Sequence, residues 1–189
     1  MEVIVHTSLR RLVLAGIVLL LLMPFAYAAD KAESPTVEND LFKMRLMPRT
    51  AEQMAAFYEG RGFPKPAINK IKQACFITVI IRNKSNKVLW LELSNWHFFS
   101  KQGEFARLER PYWKEQWSQL NLPQSHQATF GWTLLPEERN LQPNESVGGN
   151  ITLPKIDLPI EVEANFITGT TKRGPLIKAR FENIRCARD

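Results

Sequence analysis

The chain has 189 residues, 44% of them hydrophobic and 10% aromatic, and a formal charge of +6 at pH 7. That composition belongs to a folded globular protein and excludes wholesale disorder. The charge invites a nucleic-acid reading, but the 25 Lys and Arg residues are scattered apart from Lys172-Arg173 and the series Lys178, Arg180, Arg185 and Arg188. No basic stripe with interleaved stacking aromatics emerges, which argues against nucleic acid; the charges read first as solvated groups that keep the protein soluble, and a partner for them, if there is one, as a membrane surface or an acidic protein.

The N-terminus divides into three regions. Met1 to Arg11 is polar with Arg10 and Arg11, Leu12 to Met23 is uninterrupted apolar sequence, and Pro24 to Ala28 ends in small residues. This is the pattern of a secretory signal over residues 1–28, cleaved after Ala28, and it predicts a soluble exported protein of the periplasm or extracellular space. The alternative is an uncleaved helix that tethers the chain, since Leu12 to Ala29 approaches the roughly 18 to 20 residues that span a bilayer. Pro24 and the Ala-Tyr-Ala ending favour cleavage. About 160 residues then remain, the size of one domain. Cys75 and Cys186 are the only cysteines. In an oxidising compartment an even pair without metal-ligand spacing reads as one disulfide.

Residues 29–40 hold Asp30, Glu33, Glu38 and Asp40 with few apolar side chains, so they read as a flexible leader. Residues 41–74 read as an N-terminal strand and a pair of helices. Phe42, Met44 and Leu46 alternate with Lys43 and Arg45, and Pro48 is expected to stop that strand. Thr50 to Gln53 fits a capping box, with Met54, Phe57 and Tyr58 on one helical face and Gly60 and Gly62 at the end. Pro64 and Pro66 open a second helix over Ala67 to Ala74, with Ile68 and Ile71 inward.

Residues 75–189 read as the β core. Cys75 to Ile81 is β-branched and apolar on both faces, a central strand. Asn83 to Asn86 supplies a turn into Val88 to Leu93, and the two runs are expected to form a hairpin. Trp96 to Phe99 reads as another strand, with Gln102-Gly103 turning into Phe105-Ala106-Arg107. Pro111 to Leu120 reads as a short inserted helix with Trp113 and Trp117 four apart. Ala128 to Leu134 alternates as a strand, placing Trp132, like Trp90, in the core or half-buried. Leu141 to Glu145 reads as a loop before a strand over Val147 to Leu153. The last two strands, Ile160 to Ile167 and Leu176 to Cys186, flank a hairpin loop at Thr168 to Pro175.

Seven or eight short strands separated by turns predict a mainly β fold: an antiparallel, immunoglobulin-like β-sandwich with a small N-terminal helical subdomain and a short inserted helix. The likeness to immunoglobulin-like sandwiches is one of pattern: Cys75, Trp90 fifteen residues on, and a late Cys186. Cys186 lacks a Tyr two residues before it, unlike antibody-type domains.

No nucleophile-elbow Gly-x-Ser-x-Gly occurs, and outside the signal only His97 and His126 are available to catalysis. His97 reads as a histidine satisfied by a sheet neighbour, and His126 as a solvated residue of a polar loop. Met44, Met47 and Met54 supply soft sulfur for copper, but a strand, a Pro and a helix separate them, so no preformed metal face results. All five tryptophans fall between residues 90 and 132. The inserted helix, flanked by Arg107, Arg110, Lys114 and Glu115, is expected to bury only one side and to present Tyr112, Trp113 and Trp117 as a binding surface. Arg61 and Arg110 are further candidates, and Arg49, Glu59, Arg61 and Gly62 outline a second candidate surface at the end of the first helix. The reading is a non-catalytic, cofactor-free, exported protein that binds another protein of a bacterial cell envelope. The alternatives are a carbohydrate-binding module using exposed Trp and Tyr, a copper-binding protein, or a hydrolase.

Overall fold

The computed structural model describes residues 34–189. The expected signal over residues 1–28 and the start of the leader lie outside the described residues. Phe42, Met44 and Leu46 lie fully buried on β2 (Phe42–Arg49). Pro48 does not end that strand. The preceding strand β1 (Thr36–Glu38) pairs with β2 only as far as Arg45, so on that side Pro48 faces no ladder that needs its missing N–H. β1 itself falls in the stretch read as a leader. Glu38 ties it down by accepting from Lys43 and Lys84, and those two ammonium groups hold its carboxyl down at about 2.

Next come α1 (Ala51–Glu59) and α2 (Lys65–Lys72). Both halves of the capping box form: Gln53 N–H donates to Thr50 Oγ1, and Thr50 N–H donates to Gln53 Oε1. Met54 and Tyr58 are buried, whereas Phe57 stays 37% exposed. Gly62, at φ 77°, makes the turn between the helices.

The apolar run from Cys75 becomes β3 (Ala74–Asn83), flanked by β2 on one side and β7 (Ser146–Pro154) on the other. The expected hairpin with the next run does not form. β4 (Leu89–Ser100) crosses to a second antiparallel sheet, pairing with β5 (Gly103–Glu104), β6 (Glu138–Leu141) and β8 (Ile160–Thr168). β3 and β4 each carry a complete inward apolar row, Ile77, Val79 and Ile81 against Leu89, Leu91 and Leu93. They face one another across the core instead of lying side by side. Buried Asn83 fixes the crossover by donating its amide to the carbonyls of Lys87 and Leu141 at 2.7 and 2.9 Å. Trp96 to Phe99 is not a separate strand but the continuation of β4 beyond an irregularity after Leu91. β8 and β9 (Leu176–Ile184) form the expected hairpin.

The sheets run β1-β2-β3-β7 and β5-β4-β8-β9, with β6 also on β4. Their inner rows interleave into one core that includes Phe42, Leu91, Trp96 and Phe166, so the architecture is an antiparallel β-sandwich. Trp90 departs from the immunoglobulin pattern. It is half-buried on the outer side of β4, donates to the carbonyl of Gly169 at 2.6 Å and lies under Lys172, away from the disulfide. Cys75 and Cys186 are bonded, with Cα atoms 5.4 Å apart and a sequence separation of 111. The bridge joins β3 of one sheet to the segment after β9 of the other, and in the chain-entropy model it stabilises by up to roughly 4.7 kcal/mol.

Two further helices, α3 (Arg110–Gln119) and α4 (Gln124–Thr133), pack with α1 and α2 around a second cluster centred on Phe76, the outward-facing aromatic of β3. The link after α4 closes the β7 edge: Leu134 bridges Asn150, and Leu135 N–H donates to the Asn150 carbonyl. Gly149 permits this approach, because a Cβ there would lie 2.5 Å from the Leu135 nitrogen. No described helix is long and apolar enough to cross a membrane.

Candidate functional site

Trp113 and Trp117 do not form a surface. Each is only 2% exposed. Four-residue spacing aligns them on the inner face of α3, and α4 covers that face. The two indoles stack at 5.1 Å, and Phe130 of α4 lies 4.7 Å from Trp113 and 5.0 Å from Trp117. Trp113 Nε1 donates to Thr152 Oγ1 at 2.8 Å. Tyr112 is half-buried and packs edge-on against Trp113. Arg110 serves the fold from the same helix by donating to the Gly131 carbonyl at 3.1 Å.

Of the tryptophans, the exposed one is Trp132, at 90%. The sequence reading placed it on a strand, in the core or half-buried, because Phe130, Trp132 and Leu134 alternate. The segment is instead the helix α4, in which the inward positions His126, Phe130 and Thr133 follow the 3.6-residue period. Ser125, Ala128 and Trp132 are exposed at i, i+3 and i+7, which puts them on one outer face. α4 contains no Lys, Arg, Asp or Glu. Its end is held firmly. Thr133 Oγ1 donates to the Phe130 carbonyl, so Tyr58 donates to Thr133, at 2.6 Å. Burial pushes the Tyr58 phenol up to about 12.

Beside this helix, between α1 and the outer face of the β1-β2-β3-β7 sheet, lies a pocket of about 460 Å³ lined by Arg49, Gln53, Met54, Phe57, Thr78, Gly149 and Asn150. Arg49 ends β2, and a chain of hydrogen bonds orients it across the sheet. Its Nε donates to Thr78 Oγ1 at 2.9 Å, and Thr78 donates to Asn150 Oδ1 at 2.7 Å. Arg49 is half-buried and has no carboxylate in ion-pairing distance among the described residues. Arg61 stacks on one of the lining residues, its guanidinium carbon 3.5 Å from the Phe57 ring centroid. Of the second candidate surface only Arg49 lines the pocket; Arg61 touches it through Phe57 alone, and Glu59 and Gly62 lie outside the lining.

The two histidines lie apart. His97 Nδ1 meets Glu104 Oε1 at 2.7 Å across the β4–β5 pair, beside a pocket of about 400 Å³. His126 belongs to α4, not to a loop. Its Nε2 meets the Gly62 carbonyl at 3.1 Å and its ring stands edge-on to Phe63. Met44 sits in the sandwich core and Met54 in the helical cluster, while Met47 lies near Arg49. The three sulfurs do not share a site. Among the described residues no group of three or more His, Cys, Asp or Glu side chains is placed to hold a metal.

No family model matches this chain, and no curated protein matches it. One solved structure with a detectable likeness is that of YcdA, a candidate lipoprotein from Bacillus subtilis. The likeness covers 80% of this chain and 39% of that one, at 8% identity and a TM-score of 0.43. The chain thus spans about two fifths of the length of the protein it resembles.

Proposed function

We propose that this is an exported, non-catalytic β-sandwich of a bacterial cell envelope that binds another envelope protein through the outer face of α4. The observation that carries the reading is Trp132, 90% exposed on a helix without a charged side chain whose end is fixed by Tyr58, Arg110 and Asn150. Large aromatic side chains on a rigid support are the anchors of protein interfaces, because they cover much area at little cost in conformational freedom. Export rests on the N-terminal sequence pattern, and the single disulfide fits that compartment. Both described histidines are engaged in fold contacts, with Glu104 and with Gly62 and Phe63, which favours binding over catalysis.

The test is crosslinking of the tagged protein in its native envelope, with Trp132→Ala run in parallel. A partner captured by the wild type and lost from the variant is the expected result. Equal capture by both, or recovery of the chain alone, would overturn the reading. An exposed Trp face also stacks on sugar rings. Quenching of Trp132 fluorescence by soluble glycans would therefore transfer the site to a carbohydrate-binding module.

A further inference from the structure

The geometry points to a carboxylate-binding site at Arg49, for a ligand whose carboxylate is joined to an apolar body. Three features support it. The first is an Arg without a partner acid: Thr78 holds Nε and is itself held by Asn150, so the guanidinium is oriented before any ligand arrives. Nη2 makes one weak contact, with Met47 Sδ at 4.0 Å, and the remaining N–H groups of Nη1 and Nη2 are left for a two-point contact, the arrangement that suits a planar carboxylate. The second is the set of donors around it. Asn150 spends its Oδ1 on Thr78 and Gln53 spends its Oε1 on Thr50. Each therefore turns an acceptor inward to the protein and keeps an NH₂ for the pocket that both line. The third is the wall opposite. Met54 and Phe57 line the same space, and about 460 Å³ is within the size range of small-ligand pockets.

The charge count favours a monoanion over a phosphate. Arg45, the next outward cation along β2, is four residues away, or about 13 Å at strand spacing. Arg61 lies over the Phe57 ring and donates to the Phe57 carbonyl at 2.8 Å. It stands outside the lining and adds no second cation to the pocket. One half-buried Arg flanked by neutral donors matches one carboxylate. Such a group is found at the C-terminus of a polypeptide ending in an apolar residue, and at the head of a fatty acyl chain. If the partner proposed for α4 supplies the polypeptide end, the pocket extends that reading.

The purified protein is titrated by ¹H–¹⁵N NMR with three probes: N-acetyl-Ala-Leu as the free acid, the same dipeptide as its amide, and octanoate. Saturable shifts of the Arg49 Nε–H and the Asn150 side-chain amide are expected with at least one acid. The amide is expected to bind at least about tenfold more weakly than its acid, from the loss of a charged hydrogen bond. Arg49→Gln should weaken the acid by a similar factor, and Thr78→Val, which releases the guanidinium, by less. Whichever acid binds more tightly identifies the source as polypeptide or acyl chain. Absence of a saturable shift with both acids, or equal binding of acid and amide, overturns the site. If Arg49→Gln does not fold, the acid-to-amide ratio of the wild type decides alone. Trp132→Ala should bind the acid unchanged: equal capture by wild type and Trp132→Ala, or no capture by either, with acid binding intact sinks only the α4 reading, and Trp132-dependent capture without acid binding sinks only the pocket.

Discussion

The helices α3 and α4 are consecutive, ten residues long and rich in aromatics, yet they dispose of their tryptophans in opposite ways. In α3, Trp113 and Trp117 are four residues apart and share the inward face, while Lys114 and Glu115 lie exposed. In α4, Trp132 follows Phe130 by two residues. That spacing turns it about 200° around the helix, so burying Phe130 sends Trp132 outward. The contrast shows that spacing relative to the anchoring side chain, and not the residue type, decides which indole is core and which is available to a ligand.

The largest expected effect is in α3. Trp117→Ala removes an indole packed against Trp113 and Phe130 and should cost about 3 to 5 kcal/mol in urea unfolding. The two indoles also differ in a way that Phe substitutions expose. Trp113 Nε1 has a partner in Thr152, whereas Trp117 Nε1 is buried without one. Trp113→Phe should therefore be the more destabilising of the two, by about 1 kcal/mol. Equal costs would mean that the Thr152 contact contributes nothing.

A smaller effect belongs to the joint between α1 and α4. Tyr58→Phe removes the hydrogen bond to Thr133 and should cost about 0.5 to 1.5 kcal/mol near neutral pH. Its pH signature is more telling. The folded-state value is raised from 10.0 to about 12. The stability linked to this phenol is thus complete below pH 10 and is lost as pH rises through about 12. A stability profile of Tyr58→Phe should lack that alkaline component, and a phenolate absorbance titration should lose its late-titrating step. A Tyr58 that titrates near 10 would mean that α4 does not seal it.

Much of the sandwich was legible as period-two alternation, because β2 and β9 present one row to the core and one to solvent, and β8 one row to the core and a half-buried one outward. The pairing of strands was not. β3 and β4 read as a hairpin from their proximity in sequence, but their ladders belong to different sheets, and the buried Asn83 amide that links the crossover to Leu141 has no signature in the period-two pattern. The candidate site was legible in fragments. Arg49 and Arg61 stood out as cations near a capped helix end, but Thr78 and Asn150, which make Arg49 a directed donor, come from strands 72 residues apart. α4 was misread because Phe130, Trp132 and Leu134 satisfy an alternating template, while the helical set His126, Phe130, Thr133 mixes polar with apolar residues and gives a weak signal.

The smallest stability effect is expected at Trp132, and it tests the contrast between the helices most directly. With its ring 90% exposed, Trp132→Ala should change the unfolding free energy by no more than about 0.5 kcal/mol, as for a surface substitution. Its optical effect should be large. Trp96, Trp113 and Trp117 are buried and Trp90 is half-buried, so collisional quenching by iodide should act chiefly on Trp132 and fall sharply in the variant. A loss of more than about 2 kcal/mol would place the indole in a packed environment, and unchanged quenching would place the accessible indole elsewhere. Either result would take away the anchor proposed for the partner. A neutral, quench-resistant variant would leave α4 with a large apolar ring that the fold does not need, the condition for assigning that ring to a ligand.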